Sequence, residues 1–173
     1  RDVFESQMDF LRRCKKTLPD AVRYGVMLEV PSLAEMLDVL IPRLSFLSIG
    51  TNDLTQFLFA ADRANPMLAE RYDWLSPAIL RFLRRVIAAT VGHPVQLGVC
   101  GEMGGRQLEA LALIGLGIRR LSITPAAVGP IKELVRKVDT REIGKAMSGW
   151  LASPPPNMRT AMLEWTARHD IEV

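Results

Sequence analysis

The sequence has few cysteines, few aromatic residues and no long apolar run. Its two cysteines, Cys14 and Cys100, are too few for a disulfide framework, which favours a reducing, cytoplasmic environment. No apolar run reaches the roughly 18 residues of a membrane-spanning helix, so we expect no membrane segment. The net charge is only +3, and the aromatic residues (6%) do not alternate with basic ones, so we expect no nucleic-acid partner.

Apolar residues are abundant and form 49% of the 173 positions. A chain of this size and composition can bury a sizeable hydrophobic core, so we expect a globular protein. The first residue is Arg1 rather than Met, and no signal-peptide pattern follows it. We therefore expect the chain to be a piece of a longer protein.

Buried-type apolar strands alternate with amphipathic helical segments. Strands are predicted at residues 24–30, 46–49, 95–100 and 120–123. Helical spacing is found at residues 2–17, 33–40, 54–61, 77–92, 106–114, 131–138, 143–151 and 159–169. Strands separated by helices pair in parallel through right-handed crossovers. The predicted class is therefore α/β, and four such units make half of a (β/α)₈ TIM barrel.

Local signals mark two helix starts and one boundary. Ser32 with Glu35 three residues later predicts a capping box, and Ser76 followed by Pro77 predicts an N-cap and first helical residue. A proline-rich connector begins at Ser153 and precedes the last helix. We expect residues 1–152 to form the half-barrel and residues 153–173 the connector and terminal helix.

Polar side chains lie at the carboxyl ends of the predicted strands, where parallel barrels carry their reactive groups. They are Glu29, Asn52, Asp53 and Cys100. Glu29 and Asp53 could give two carboxylate oxygens to one hard cation such as Mg²⁺, with water and substrate completing the shell. Taken singly, each has an ordinary alternative, because Glu29 could cap a helix and Asp53 could be a helix N-terminal charge.

Two further side chains are candidates for a phosphate-handling site. Arg63 could hold a phosphate with its guanidinium, or it could form an ion pair with Asp62 or Glu70. Cys100 could be a positioned acid or nucleophile, or it could be a buried, inert thiol.

Three segments together carry a family resemblance. They are residues 49–56 (Ile-Gly-Thr-Asn-Asp-Leu-Thr-Gln), residues 62–65 (Asp-Arg-Ala-Asn) and residues 99–102 (Val-Cys-Gly-Glu). The chain from its first helix to about Val138 resembles the phosphoenolpyruvate-binding domain of enzyme I of the bacterial phosphotransferase system. The resemblance implies the C-terminal half of that TIM barrel, and residues 122–132 resemble its nitrogen-related branch.

The resemblance also implies roles for the candidate residues. Glu29 and Asp53 would bind Mg²⁺, with Mn²⁺ as a substitute, and Asn52 and Asp53 would contact phosphoenolpyruvate. Arg63 would hold the phosphate or carboxylate of the substrate. Cys100 would manage the proton at the methylene carbon.

By the same resemblance, the parent enzyme moves the phosphoryl group of phosphoenolpyruvate to one of its own histidines and on to a histidine-phosphocarrier protein, releasing pyruvate. The acceptor histidine and the carrier contacts would lie in upstream domains, the parent would be a homodimer, and this chain alone would be inactive. Two alternatives stay open. One is a dikinase or synthase that uses phosphoenolpyruvate, and the other is a regulatory module that binds it without turnover.

Overall fold

The structure is a computed structural model that describes residues 6, 9, 10, 13, 14, 23–62, 64, 65, 67, 68 and 72–173. Its centre is a four-stranded sheet in which every neighbouring pair is parallel and the spatial order follows the chain. The strands are β1 Gly25–Leu28, β2 Phe46–Gly50, β3 Gln96–Cys100 and β4 Leu121–Ser122. This sheet confirms the predicted α/β class and the half-barrel of parallel strands.

Helices connect the strands and continue beyond the last one. Short 3₁₀ turns at Ile41–Arg43 and Glu102–Gly105 complete the connections. The α-helices are α1 Pro31–Ala34, α2 Leu37–Leu40, α3 Thr51–Phe59, α4 Pro77–Thr90, α5 Gln107–Leu116, α6 Pro125–Lys137, α7 Thr140–Ala152 and α8 Met158–Arg168. Among the described residues, no helix is both long enough and apolar enough to cross a bilayer. The predicted helix at residues 2–17 lies largely outside the described residues.

Side chains alternate between the two faces of the sheet, as the period of two requires. The helix-covered face carries the large apolar side chains, which are fully buried. They are Leu28, Leu47, Ile49 and Val99. On the opposite face, Met27 is 49% exposed and Phe46 is 41% exposed. We call this second surface, which also carries Ser48 and Cys100, the open face.

The core continues between α5, α7 and α8. Every residue of α5 from Leu108 to Ile114 is buried, because the helix lies between other elements on all sides. Gly115 permits the close approach of α7, since a Cβ there would lie 2.5 Å from Met147 Cγ and 2.9 Å from Ile143 Cγ1. The apolar residues predicted at helical spacing in α7 therefore pack against α5.

The two predicted helix starts have different outcomes. Ser76 is the N-cap of α4, and its Oγ accepts a hydrogen bond from the backbone of Ala78 at 3.4 Å. The capping box at Ser32 is wrong, because α1 begins one residue earlier at Pro31 with Val30 as its N-cap. Proline fits the first helical position with its fixed φ, which places Ser32 inside the first turn.

Helix α8 is part of the same core as the sheet and α5. Met158, Met162 and Trp165 are buried in it. Arg159 donates hydrogen bonds to Glu109 Oε1 at 2.7 Å and to Asp73 Oδ1 at 2.9 Å. The terminal helix is thus attached both to α5 and to the segment that precedes α4.

Candidate active site at the carboxyl ends of the strands

The carboxyl ends of the strands bring the candidate residues to one rim. Gly50, the last residue of β2, is in register with Cys100, the last residue of β3. Glu29 directly follows β1, and Asn52 and Asp53 lie in the first turn of α3, which begins directly after β2. Four of the five sequence-predicted site residues therefore lie at neighbouring positions.

Gly50 provides room for the carboxylate of Glu29. A Cβ at Gly50 would lie 2.7 Å from Glu29 Cγ and 3.0 Å from Glu29 Oε1, so any larger residue would displace the acid. Asp53 is the acidic residue of the first turn of α3, where the helix dipole favours negative charge. Within the described part of the chain, no three His, Cys, Asp or Glu side chains converge as a complete metal site. Two carboxylates with open positions suit a hard cation that shares its shell with a substrate.

Hydrogen bonds join the start of α3 to the end of β3. Thr51 Oγ1 donates to the carbonyl of Cys100 at 3.0 Å, and Asn52 Oδ1 accepts from the backbone N–H of Glu102 at 3.1 Å. Between them Gly101 has a φ of 107°, and a Cβ there would lie 2.6 Å from Thr51 Oγ1. Only glycine fits both this φ and this close approach to Thr51. Gly101 therefore allows the two hydrogen bonds that hold the loops together.

The sulfur of Cys100 lies on the open face and is only partly buried. Ser48 Oγ donates to it at 3.3 Å. The carbonyl oxygen of Ile49 lies 3.6 Å from the sulfur, and Met27 Sδ lies 4.0 Å from it. The thiol therefore has polar neighbours and is not fully buried. Its reactivity stays a prediction.

A cleft of about 470 Å³ opens beside Cys100. Several of its lining residues were not predicted as site residues from the sequence. These include Arg106, Ser122 and Thr124. The Arg106 guanidinium lies 4.9 Å from the ring centroid of Trp74, a cation–π distance.

Tyr72 was also missed, and it contacts the rim through Asn52. Its hydroxyl donates to the backbone carbonyl of Asn52. Its ring meets Trp74 edge to face, with centroids 5.9 Å apart. A tyrosine twenty residues from its partner has no local sequence signal.

The segment after α3 is described only in part. Arg63, predicted to hold phosphate, lies outside the described residues. Its neighbour Asp62 accepts a hydrogen bond from the backbone of Ala64 at 2.9 Å, which is a local turn contact.

Residues 1–140 match the family model described as PEP-utilising enzyme, PEP-binding domain, where PEP is phosphoenolpyruvate. The chain belongs to this family. The match contains the whole rim and ends at the first residue of α7, so α7 and α8 lie almost entirely beyond the family segment. It confirms the family recognised in the sequence.

Individual relatives agree with the family assignment. The chain is 46% identical over 120 residues to the phosphoenolpyruvate-dependent phosphotransferase system protein of Escherichia coli, covering 69% of this chain and 16% of that protein. It is 44% identical over 119 residues to the phosphoenolpyruvate-protein phosphotransferase of Borreliella burgdorferi, covering 69% and 21%. A multiphosphoryl transfer protein of Xanthomonas campestris is 46% identical over 112 residues, covering 65% and 13%. The matched part is thus about a fifth or less of each relative's length.

Proposed function

We propose that this chain is the phosphoenolpyruvate-binding part of a cytoplasmic, enzyme I-type phosphoenolpyruvate–protein phosphotransferase. One observation carries the proposal: Asn52 and Cys100, from two separate motifs, are held at one rim by hydrogen bonds between their loops. The cleft beside them supports it. The names of the similar proteins, two of which state phosphoenolpyruvate-dependent phosphotransfer, support it independently.

The substrate would bind with its phosphate and carboxylate toward the rim. Asn52 and Asp53 would contact it from the first turn of α3, and Arg63 would hold the phosphate or carboxylate. A guanidinium can bind either group through two parallel hydrogen bonds and stabilise charge on the moving phosphoryl group. Asn52 is well suited to a fixed position, since both its side chain and its backbone carbonyl are engaged.

Mg²⁺ would be held by Glu29 and Asp53, and Mn²⁺ would substitute for it. When bound, the cation would neutralise charge on the substrate phosphate and carboxylate. The position of the Glu29 side chain beside Gly50, the N-cap of α3, supports this role. Two protein carboxylates fill only part of an octahedral shell, so we expect weak metal binding without substrate.

The acceptor of the phosphoryl group would be a histidine elsewhere in the longer enzyme. This chain has two histidines. His93 is exposed in the turn after α4, and His169 follows α8 and stacks on Trp165. Neither lies at the rim. From the acceptor histidine the phosphoryl group would pass to a histidine-phosphocarrier protein, and the enzyme would be a homodimer, which light scattering at several concentrations can test.

Cys100 would complete the reaction by protonating the methylene carbon of pyruvate enolate. Its sulfur lies on the open face beside the cleft, within reach of solvent. A positioned proton donor contributes about 10²–10⁴-fold to such a step.

The proposal is tested with the chain itself and with the longer enzyme. Calorimetry should detect weak Mn²⁺ binding that Asp53→Ala abolishes and that Asp38→Ala, at an exposed carboxylate of α2, leaves unchanged. In the longer enzyme, isotope exchange between phosphoenolpyruvate and pyruvate should require Asp53 and fall about 10²–10⁴-fold in Cys100→Ala. Equal metal binding by both aspartate variants would refute the metal site. Binding of phosphoenolpyruvate without isotope exchange would indicate a regulatory module. Isotope exchange that requires a nucleotide would indicate a dikinase or synthase.

A further inference from the structure

We propose that Ser48 is a positioning residue for Cys100. Its hydroxyl orients the sulfur and stabilises the negative charge that remains there when the thiol gives up its proton. The inference rests on the proposed function, because that function makes Cys100 the proton donor. Ser48 does not line the cleft beside Cys100, so we infer that it acts through the sulfur.

The strand register places the two side chains together. Cys100 pairs with Gly50, and Ser48 lies two residues earlier on β2, so both side chains project from the same face of the sheet. The Ser48 hydroxyl donates to the sulfur at 3.3 Å, and the contact is partly buried. Partial burial matters because a hydrogen bond is electrostatically stronger where water is excluded.

The other close neighbours of the sulfur are acceptors. The carbonyl oxygen of Ile49 at 3.6 Å and Met27 Sδ at 4.0 Å can each receive the thiol proton, but neither can donate to a negative sulfur. Among these described contacts, Ser48 is therefore the donor that favours the charged sulfur.

The proton step identifies when this hydrogen bond is needed. The S–H bond of Cys100 breaks, and the electron pair of the enolate double bond forms the new C–H bond of pyruvate. The sulfur keeps its own electron pair as a thiolate, and solvent later returns a proton to it. The hydrogen bond from Ser48 becomes charge-assisted as the thiolate forms, so it is stronger after proton transfer than before it.

Alkylation by iodoacetamide tests the contact directly on this chain, because the reagent reacts with the thiolate. A hydrogen bond to a charged group shifts the equilibrium toward the charged form by about tenfold or more. Part of the effect is offset, since a less stabilised thiolate is a stronger nucleophile. We therefore expect Ser48→Ala to slow alkylation of Cys100 about three- to tenfold at pH 8, while Ser48→Thr keeps the hydroxyl and restores the rate.

The experiment contains two internal controls. Mass spectrometry of the digested protein measures Cys14 separately, and its rate should not change. Ser45→Ala, just before the amino end of the same strand, should leave both thiols unchanged, because the structure gives Ser45 backbone hydrogen bonds that alanine retains. Thermal unfolding of each variant identifies any general loss of structure.

Two results would overturn the inference. One is an unchanged or faster rate at Cys100 in Ser48→Ala. The other is a slower rate that Ser48→Thr does not restore, since volume rather than the hydroxyl would then be responsible. In the longer enzyme, Ser48→Ala should lower kcat about three- to tenfold and leave KM for phosphoenolpyruvate within about twofold. If Cys100→Ala retains full turnover there, the proton role of the proposed function fails, while the alkylation result still decides whether Ser48 acts on the thiol.

Discussion

Replacing Arg159 by methionine should substantially destabilise the protein. Arg159 bridges Asp73 and Glu109, and the side chain of Glu109 is only 3% exposed. Burial disfavours the charged guanidinium. Glu109 and Asp73 outweigh this effect through their hydrogen bonds and negative charges, and they raise the pKa of Arg159 above its ordinary value. The ion pairs therefore hold the guanidinium charged, and Arg159→Met leaves a buried carboxylate without its cation.

The expected loss follows from the exposure of the two partners. Removing one partner of a buried ion pair costs about 3–5 kcal/mol. The Arg159 side chain is 41% exposed, so water screens part of the interaction and we expect about 2–3 kcal/mol of the free energy of unfolding. For a chain of this length that corresponds to a fall in Tm of about 5–10 °C.

Urea denaturation and thermal unfolding measure this change, and two variants complete the test. Arg141→Met removes a 91% exposed partner of Asp139 and should change the free energy of unfolding by less than about 0.5 kcal/mol. Glu109→Gln combined with Arg159→Met should recover more than half of the loss, because a neutral amide needs no cation. A loss in Arg159→Met no larger than in Arg141→Met, or a double variant as unstable as Arg159→Met alone, would refute the reasoning.

Two further predictions concern local backbone features. Gly101→Ala should destabilise the chain by about 2 kcal/mol or more in urea denaturation, because alanine is strained at positive φ and its Cβ would contact Thr51. Gly129→Ala is the control: a Cβ at Gly129 meets open space, so this variant should be neutral or stabilising. Equal effects of the two substitutions would contradict the prediction. The backbone N–H of Arg141, with the Arg141 side chain, lowers the pKa of the N-cap Asp139 below its ordinary value of 3.8. The ionised Asp139 therefore stabilises the folded state fully above that value, and this stabilisation is lost as the pH falls through the folded-state pKa. Asp139→Asn should therefore unfold with a weaker pH dependence below about pH 4 in acid titrations followed by circular dichroism, and an unchanged dependence would contradict this.

The sheet and the rim were predictable because their signals are local. Each strand is an apolar run that ends at, or just before, a polar or glycine residue, and parallel pairing follows from the intervening helices. Placing Glu29, Asn52, Asp53 and Cys100 after strand ends therefore placed them at one edge. Their catalytic and metal-binding roles stay predictions, and so does the division of the chain at residue 152.

The contacts that complete the site were not predictable, because they depend on register and distant packing. Ser48 reads as an ordinary strand residue until the pairing of Gly50 with Cys100 sets its position. Arg159 and Glu109 are fifty residues apart, and the burial of Glu109 is apparent only once α8 lies beside α5. The error at Ser32 arose differently, since a capping-box pattern competed with an adjacent proline and the proline set the helix start.

The rim also depends on residues beyond the family segment. Arg159 of α8 holds Asp73, whose carboxylate also accepts a hydrogen bond from the backbone of Leu75 at 3.0 Å. The adjacent Tyr72 donates to the carbonyl of Asn52, and the side chain of Asn52 in turn fixes the backbone of Glu102. Hydrogen bonds, together with the peptide link between Tyr72 and Asp73, thus connect the terminal helix to both loops of the rim. The backbone positions of Asn52 and Glu102 are therefore supported by contacts that lie outside the three sequence motifs as well as within them.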